Sequence, residues 1–232
     1  MPQHYARRLL GTQRSADVDA HLGLILAFVA GATNAGGFLA VHQYTSHMTG
    51  MVSAAADGLV LGSTQALATA ATALGAFVAR ASCTSVLVNL GRVTRSASIF
   101  ALPLLVEAVC LITFGLLGAL MTQVDVVALV AGLLCFTMGL QNALITKVSR
   151  SEIRTTHVTG IVTDIGVELG RLLFGQADVS KLRLLGGLLA SFAIGGLLGA
   201  GAFKAIGYGA TLPLAAVLGF LGSVLAFDDL RS

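Results

Sequence analysis

The stretch Thr45-Ser46-His47-Met48-Thr49-Gly50-Met51-Val52 returns later in the chain as Thr155-Thr156-His157-Val158-Thr159-Gly160-Ile161-Val162. A second pair precedes it in the same order: Phe28-Val29-Ala30-Gly31-Ala32-Thr33-Asn34-Ala35, then Phe136-Thr137-Met138-Gly139-Leu140-Gln141-Asn142-Ala143. Asn34 and Asn142 are 108 residues apart and Thr49 and Thr159 are 110 apart, so both blocks recur with a two-residue insertion between them. Ordered recurrence of this kind marks an internal duplication. It divides the chain into a cytoplasmic N-terminal segment, 1–20, a first repeat half, 21–124, and a second, 125–232, which together make one integrated transmembrane domain.

The surroundings of these blocks say what solvent the chain meets. Of 232 residues, 56% are hydrophobic and 11% charged, against roughly one quarter charged in water-soluble domains. Mean hydropathy is +0.88. Fourteen Lys and Arg with eleven Asp and Glu cannot cover a surface of this size with polar groups, so lipid must cover it. The net charge of +3 does not point to nucleic acid, because the basic residues fall in short clusters between apolar runs and not on one face. Cys83, Cys110 and Cys135 each sit inside an apolar run without metal-like spacing and read as small hydrophobes. Arg7, Arg8 and Arg14 before the apolar stretch from Leu22, with Ala30-Gly31-Ala32 beyond, imitate a signal peptide. The recurrence of that stretch inside the chain argues against removal.

Runs of about 20 apolar residues, the length that spans a bilayer, occur near 22–41, 67–90, 98–121, 126–146, 184–206 and 210–227. Two shorter segments, 47–62 and 157–173, carry Asp57 and Asp164 with Glu168, and either span or re-enter. Basic residues decide between these, since cytoplasmic loops carry the Lys and Arg excess. Eight crossings with an inside N-terminus would put Arg92, Arg95, Lys147, Arg150, Arg154 and Lys204 outside, leaving almost no bias. Six crossings gather all of these except Lys204 inside, together with Arg7, Arg8, Arg14, Arg171, Lys181, Arg183 and Arg231. The expected fold is therefore all-α and integral to the membrane: two inverted repeats, six spanning helices, two shorter re-entrant or half-helices, and both termini cytoplasmic.

A half-helix that starts within the membrane turns unpaired N–H groups and a positive dipole end toward its surroundings, which suits an anion or a polar solute. Thr45, Ser46, Thr155 and Thr156 are residue types that cap helices; Thr49-Gly50 and Thr159-Gly160 add a hydroxyl and a close backbone approach. Interrupted segments at corresponding places in two halves point to a midplane site in inverted-repeat transporters. Small and hydroxylated residues also serve plain helix packing. His47 and His157 are harder to assign to packing, because an imidazole in hydrocarbon needs a partner or a task, although a headgroup-facing position would also satisfy it. Asn34 and Asn142 suit a solute site or an interhelical clamp equally. Gly36-Gly37 after Asn34 suggests an interrupted helix. Asp57 shares a helix face with Thr49 and Ser53, whereas Asp164 does not align with it. Asp57, Asp164, Arg80 and Glu107 are candidates for coupling, or for pairs that neutralise one another within the bundle. The glycines from Gly186 to Gly201 read as small-residue packing.

The paired Gly-x-x-Asn-Ala and Thr-x-His-x-Thr-Gly blocks resemble the YoaK-like family of bacterial inner-membrane proteins, a domain family of unknown function, over roughly residues 20–228. The resemblance implies an inner-membrane location and supplies no substrate. It also leads one to expect Asn after each Thr-Gly, where this chain has Met51 and Ile161.

The function expected from the residues is a secondary transporter or channel for a small polar solute, most simply an anion, bound where the two half-helix starts meet, with proton coupling through the histidines as an added feature. Its site would comprise Thr45, Ser46, His47, Thr49, Gly50, Thr155, Thr156, His157, Thr159 and Gly160, with Asn34 and Asn142 beside them. The alternative is a non-transporting scaffold or partner-binding protein in which both motifs are structural. No nucleophile elbow, phosphate loop or metal-ligand spacing suggests an enzyme or a cofactor. The partners expected are the bilayer and the solute, with lipid-facing surface enough for a homodimer.

Overall fold

A chain surrounded by hydrocarbon has no water to satisfy its amides, so each segment must bond its own N–H and C=O groups, and the helix does this locally. The computed structural model describes residues 16–41, 46–93, 101–118, 124–148 and 155–229, and these are helical apart from short turns. In chain order the helices are α1 (Ala16–Val41), α2 (Met48–Val60), α3 (Thr64–Val93), α4 (Ala101–Gly118), α5 (Val124–Val148), α6 (Val158–Leu172), α7 (Val179–Ile206) and α8 (Thr211–Asp229). A single 3-10 turn, Gly207–Ala210, joins the last two. Among the described residues, the stretches long and apolar enough to cross a membrane are Asp17–Leu39, Thr64–Gly91, Ala101–Gly118 and Val179–Val224, the last running through α7 and α8. Met48–Val60 and Gly132–Thr146 are shorter apolar helical stretches. Arg7, Arg8, Arg14, Thr45, Arg95, Arg150, Arg154 and Arg231 lie outside the described residues.

The duplication reaches the end of each half. Leu102-Pro103-Leu104 opens α4 and Leu212-Pro213-Leu214 opens α8, each proline in a first turn where its missing N–H has no helical partner to lose. Both short helices, α2 and α6, end in turns that use a left-handed glycine, Gly62 at φ 68° and Gly175 at φ 67°.

Packing follows the duplication. α1 lies along α7, and α3 along α5, so the first helix of each half pairs with the third of the other. Rising numbers on one helix meet rising numbers on its partner: Phe28 faces Gly195, Ala32 faces Gly199 and Gly36 faces Phe203, while Thr72 faces Gly132 and Phe77 faces Gly139. Both pairs are therefore parallel. α4 packs on α8 in the opposite sense: Gly118 meets Tyr208, Gly115 meets Thr211, Ala108 meets Gly219 and Leu105 meets Gly222. The hydroxyl of Thr211 ties this antiparallel pair by donating to the Leu111 carbonyl at 3.0 Å.

Glycine carries the parallel contacts. Phe28 and Ala32 backbone atoms occupy the space that side chains at Gly195 and Gly199 would need, so the glycine-rich stretch of α7 is a packing seam. The Gly36-Gly37 pair does not interrupt α1, which is continuous from Ala16 to Val41. Gly36 instead makes room for the ring of Phe203, whose atoms come within 2.0 Å of where a Cβ would be. Phe203 in turn stacks with Phe114 and Tyr208, at centroid distances of 6.1 and 6.4 Å, near the α7–α8 turn.

Candidate functional site

Asn34 projects from α1 toward the start of α2, and its Oδ1 accepts from the Ser46 hydroxyl at 2.9 Å and the Ser46 backbone N–H at 3.4 Å. The second half repeats this. Asn142 Oδ1 accepts from the Thr156 N–H at 3.3 Å and the Thr155 hydroxyl at 3.5 Å, while its amide nitrogen contacts the Thr156 hydroxyl and donates to the Met138 carbonyl at 3.2 Å. The hydroxyls of Ser46, Thr155 and Thr156 thus fasten each short helix to the asparagine of the preceding long one. They are not helix caps, as their residue types led one to expect. The N-cap positions belong to His47 and His157, and neither makes a side-chain cap. Among the described residues no side chain caps the first-turn N–H groups of α2 and α6.

Each histidine folds back over its own helix. A Cβ on Gly50 would lie 2.9 Å from His47 Nδ1, and one on Gly160 would lie 2.3 Å from His157 Nδ1. The Thr-Gly glycine therefore makes room for an imidazole ring, where the sequence suggested close approach of a backbone. In both cases Nδ1 and Cε1 are the ring atoms nearest the glycine.

The two starts meet. Asn34, Ser46, His47 and Thr49 from the first half and Asn142, Thr156, His157 and Thr159 from the second line one cavity of about 550 Å³. Met48 and Val158 complete the matched set, and Phe77 of α3 and Phe192 of α7 supply two aromatic walls. These two phenylalanines and Thr146, also in the lining, were not singled out from the sequence. The signal for the aromatic pair is faint: Leu74-Gly75-Ala76-Phe77 and Leu189-Ala190-Ser191-Phe192 share only a Leu, two small residues and a Phe. Among the described residues that line it, none is acidic and none is Lys or Arg. With two positive helix ends, seven hydroxyl or carboxamide side chains and two imidazoles, the cavity can donate hydrogen bonds to an anion or a polar solute.

The other expected site residues are placed elsewhere. Thr155 is fully buried behind the lining. Gly50 faces a different cavity, and Gly160 lies beneath the His157 ring. Asp57 and Asp164 are exposed on α2 and α6, outside the cavity lining. Arg80 and Glu107 are both fully buried but do not neutralise each other through a hydrogen bond. The Arg80 guanidinium stacks 3.9 Å above the Phe136 ring and donates to Cys110 Sγ at 3.5 Å, leaving Nε, Nη2 and both Glu107 oxygens without hydrogen-bond partners among the described residues. Among the described residues no three His, Cys, Asp or Glu side chains come together as a metal site.

A charged cluster marks the C-terminal end of α6. The buried Glu168 carboxylate accepts from the Asp178 backbone N–H at 3.1 Å and pairs with Arg171 at 3.1 Å and Lys181 at 3.4 Å. The Asp178 N–H, then the two cations, hold its pKa below the ordinary carboxylate value. Asp178 meanwhile caps α7 by accepting from Ser180 and Lys181.

Residues 22–224 match the family model described as Protein of unknown function (DUF1275). The chain belongs to this family. No curated protein and no solved structure matches this DUF1275 chain. The matched range takes in both copies of each block and all the cavity-lining residues.

Proposed function

We propose that this DUF1275 protein is a non-enzymatic secondary transporter or channel of the bacterial inner membrane for a small polar solute, with an anion favoured. The solute binds between the starts of α2 and α6. The observation that carries this is the meeting of the duplicated blocks: corresponding residues of both halves line one cavity. The fold belonging to this proposal is six crossings, two re-entrant half-helices, and two inverted halves with cytoplasmic termini. Inversion is supported by helix directions. α4 and α8 are corresponding helices and run antiparallel, as a two-fold axis in the membrane plane requires, whereas halves of the same orientation would make them parallel.

The test is solute-dependent thermal stabilisation of the purified protein across a panel of inorganic anions, small carboxylates and neutral polar solutes. A ligand binding only the folded state raises stability with concentration. Stabilisation by at least one class, lost in His47→Ala, is the expected result. No stabilisation by any of them, with His47→Ala indistinguishable from the parent, would reject the proposal.

A scaffold reading draws on the asparagine clamps, which show that part of each motif holds helices together. It requires Thr49→Ala and His47→Ala to lower stability. Transport requires them to lower flux in a protein that remains folded.

A further inference from the structure

A second cavity, of about 470 Å³, lies between α2 and α3, and His47 is a wall common to it and the central one. From His47 it follows Gly50 and Ala54 on α2, opposite Ala66 and Ala70 on α3, to Ser63 in the turn between the helices. Positions 50 and 54, like 66 and 70, stack one helical turn apart on a single face. Side chains this small at facing positions leave a passage where larger ones would close it. Ser63, Gln65 and Thr69 give the passage polar groups, and among the described residues no Asp, Glu, Lys or Arg lines it.

The second half differs at the corresponding place. Counting 110 residues on, Gly58 of α2 becomes Glu168 of α6. A Cβ at Gly58 would lie 3.1 Å from the Leu67 nitrogen, so α2 and α3 are held there by bare backbone contact. Glu168 instead binds the Asp178 N–H and Lys181, which fastens the end of α6 to the start of α7.

We propose that the solute reaches the central cavity through the passage between α2 and α3, past the His47 ring, and that the Glu168 clamp closes the corresponding way between α6 and α7. This rests on the transport reading and adds to it a side of entry. It also restricts the cargo to solutes small enough for a passage walled by Gly50, Ala54, Ala66, Ala70 and the side chain of Met51, with polar groups that hydroxyls and an amide can satisfy.

The test uses the full chain with Cys83, Cys110 and Cys135 changed to Ala, reconstituted in vesicles, with Thr49→Cys as reporter in the central cavity. A membrane-impermeant methanethiosulfonate should modify it, and Ala66→Trp should slow modification by roughly tenfold or more, a barrier increase of about 1.4 kcal/mol. Ala68→Trp, at an exposed position of the same helix, should leave the rate unchanged. Should Ala66→Trp fail to fold, Ala66→Cys blocked by a bulky maleimide after folding gives the same comparison, with the two cysteines distinguished by peptide mass. In a second arm, Glu168→Gln should speed modification of Thr159→Cys several-fold. Modification of Thr49→Cys that is indifferent to both plugs overturns the route alone, and an unchanged Thr159→Cys rate overturns the clamp. A Thr49→Cys that no reagent reaches in any background overturns the transport reading as well.

Discussion

The backbone oxygen of Phe192 occupies the place where a side chain at Gly31 would begin, 2.0 Å from the ideal Cβ position. The same contact recurs in the other pair of helices, where a Cβ at Gly139 would lie 2.8 Å from the Phe77 oxygen. The glycine of each Gly-x-x-Asn block thus sets the height of a phenylalanine that walls the cavity, one turn from the asparagine that clamps the short helix. Gly31→Ala and Gly139→Ala should each force α1 from α7, or α3 from α5, at a cost of about 1–3 kcal/mol or more. Gly75→Ala is the control: nothing lies within 4 Å of its ideal Cβ, and the change should be neutral or gain up to about 1 kcal/mol of helix propensity. Thermal unfolding in one detergent compares all three.

Gly50→Ala and Gly160→Ala act on the imidazoles and not on the helix contacts. The rings must leave the first turn, more so at His157, where the added carbon would be 2.3 Å from Nδ1 as against 2.9 Å at His47. The expected outcome is a folded protein with little loss of melting temperature and weakened solute-dependent stabilisation, the Gly160 variant being the worse. If the glycine acts through the ring, adding Gly160→Ala to His157→Ala should bring no further weakening, which a double-mutant cycle measures.

Asn142→Ala and Asn34→Ala remove the clamps. At about 1 kcal/mol for each hydrogen bond lost, each change should lower stability by about 1 kcal/mol or more, since among the described residues Asn142 holds Thr156, Thr155 and the Met138 carbonyl and Asn34 holds Ser46. Chemical unfolding that leaves either variant as stable as the parent would contradict the hydrogen bonding described.

The long helices were legible because a hydrophobic run of spanning length has few alternatives in lipid. Their ends were less so: α1 begins at Ala16, six residues before the apolar run, with Asp17 and Asp19 in its first turn, where the helix dipole favours acids. The duplicated blocks were legible as text, and corresponding members of them line one cavity. What their side chains do was not. A serine or threonine before a helix can cap it or bond an amide elsewhere, and only the position of Asn34 or Asn142 in space decides which. A glycine pair within a helix can break it or admit a neighbour, and Gly36 admits Phe203, a residue far along the chain. Phe77 and Phe192 escaped notice because a Leu and a Phe three residues apart are too common in apolar helices to reveal a repeat.

Glu168 gives the chain an acid-sensitive fastening. Its folded pKa is depressed, first by the Asp178 N–H and then by Lys181 and Arg171, so folding favours the ionised form. The stabilisation is present above the ordinary carboxylate pKa, near 4.5, and is lost as pH falls through the lower folded value. Glu168→Gln should therefore unfold more easily than the parent at neutral pH, and the difference should shrink once the pH is taken below about 4. Arg171 and Lys181 are exposed, so added salt should reduce the difference as well. A gap that widens on acidification would contradict this account.

The cavity shared by the starts of α2 and α6 is tested most directly by joining them. In the cysteine-free chain, Thr49→Cys and Thr159→Cys should be bridged within one molecule by a short bifunctional methanethiosulfonate, and a solute that stabilises the protein should slow the bridging. Two cysteines that each react singly and never bridge would contradict it.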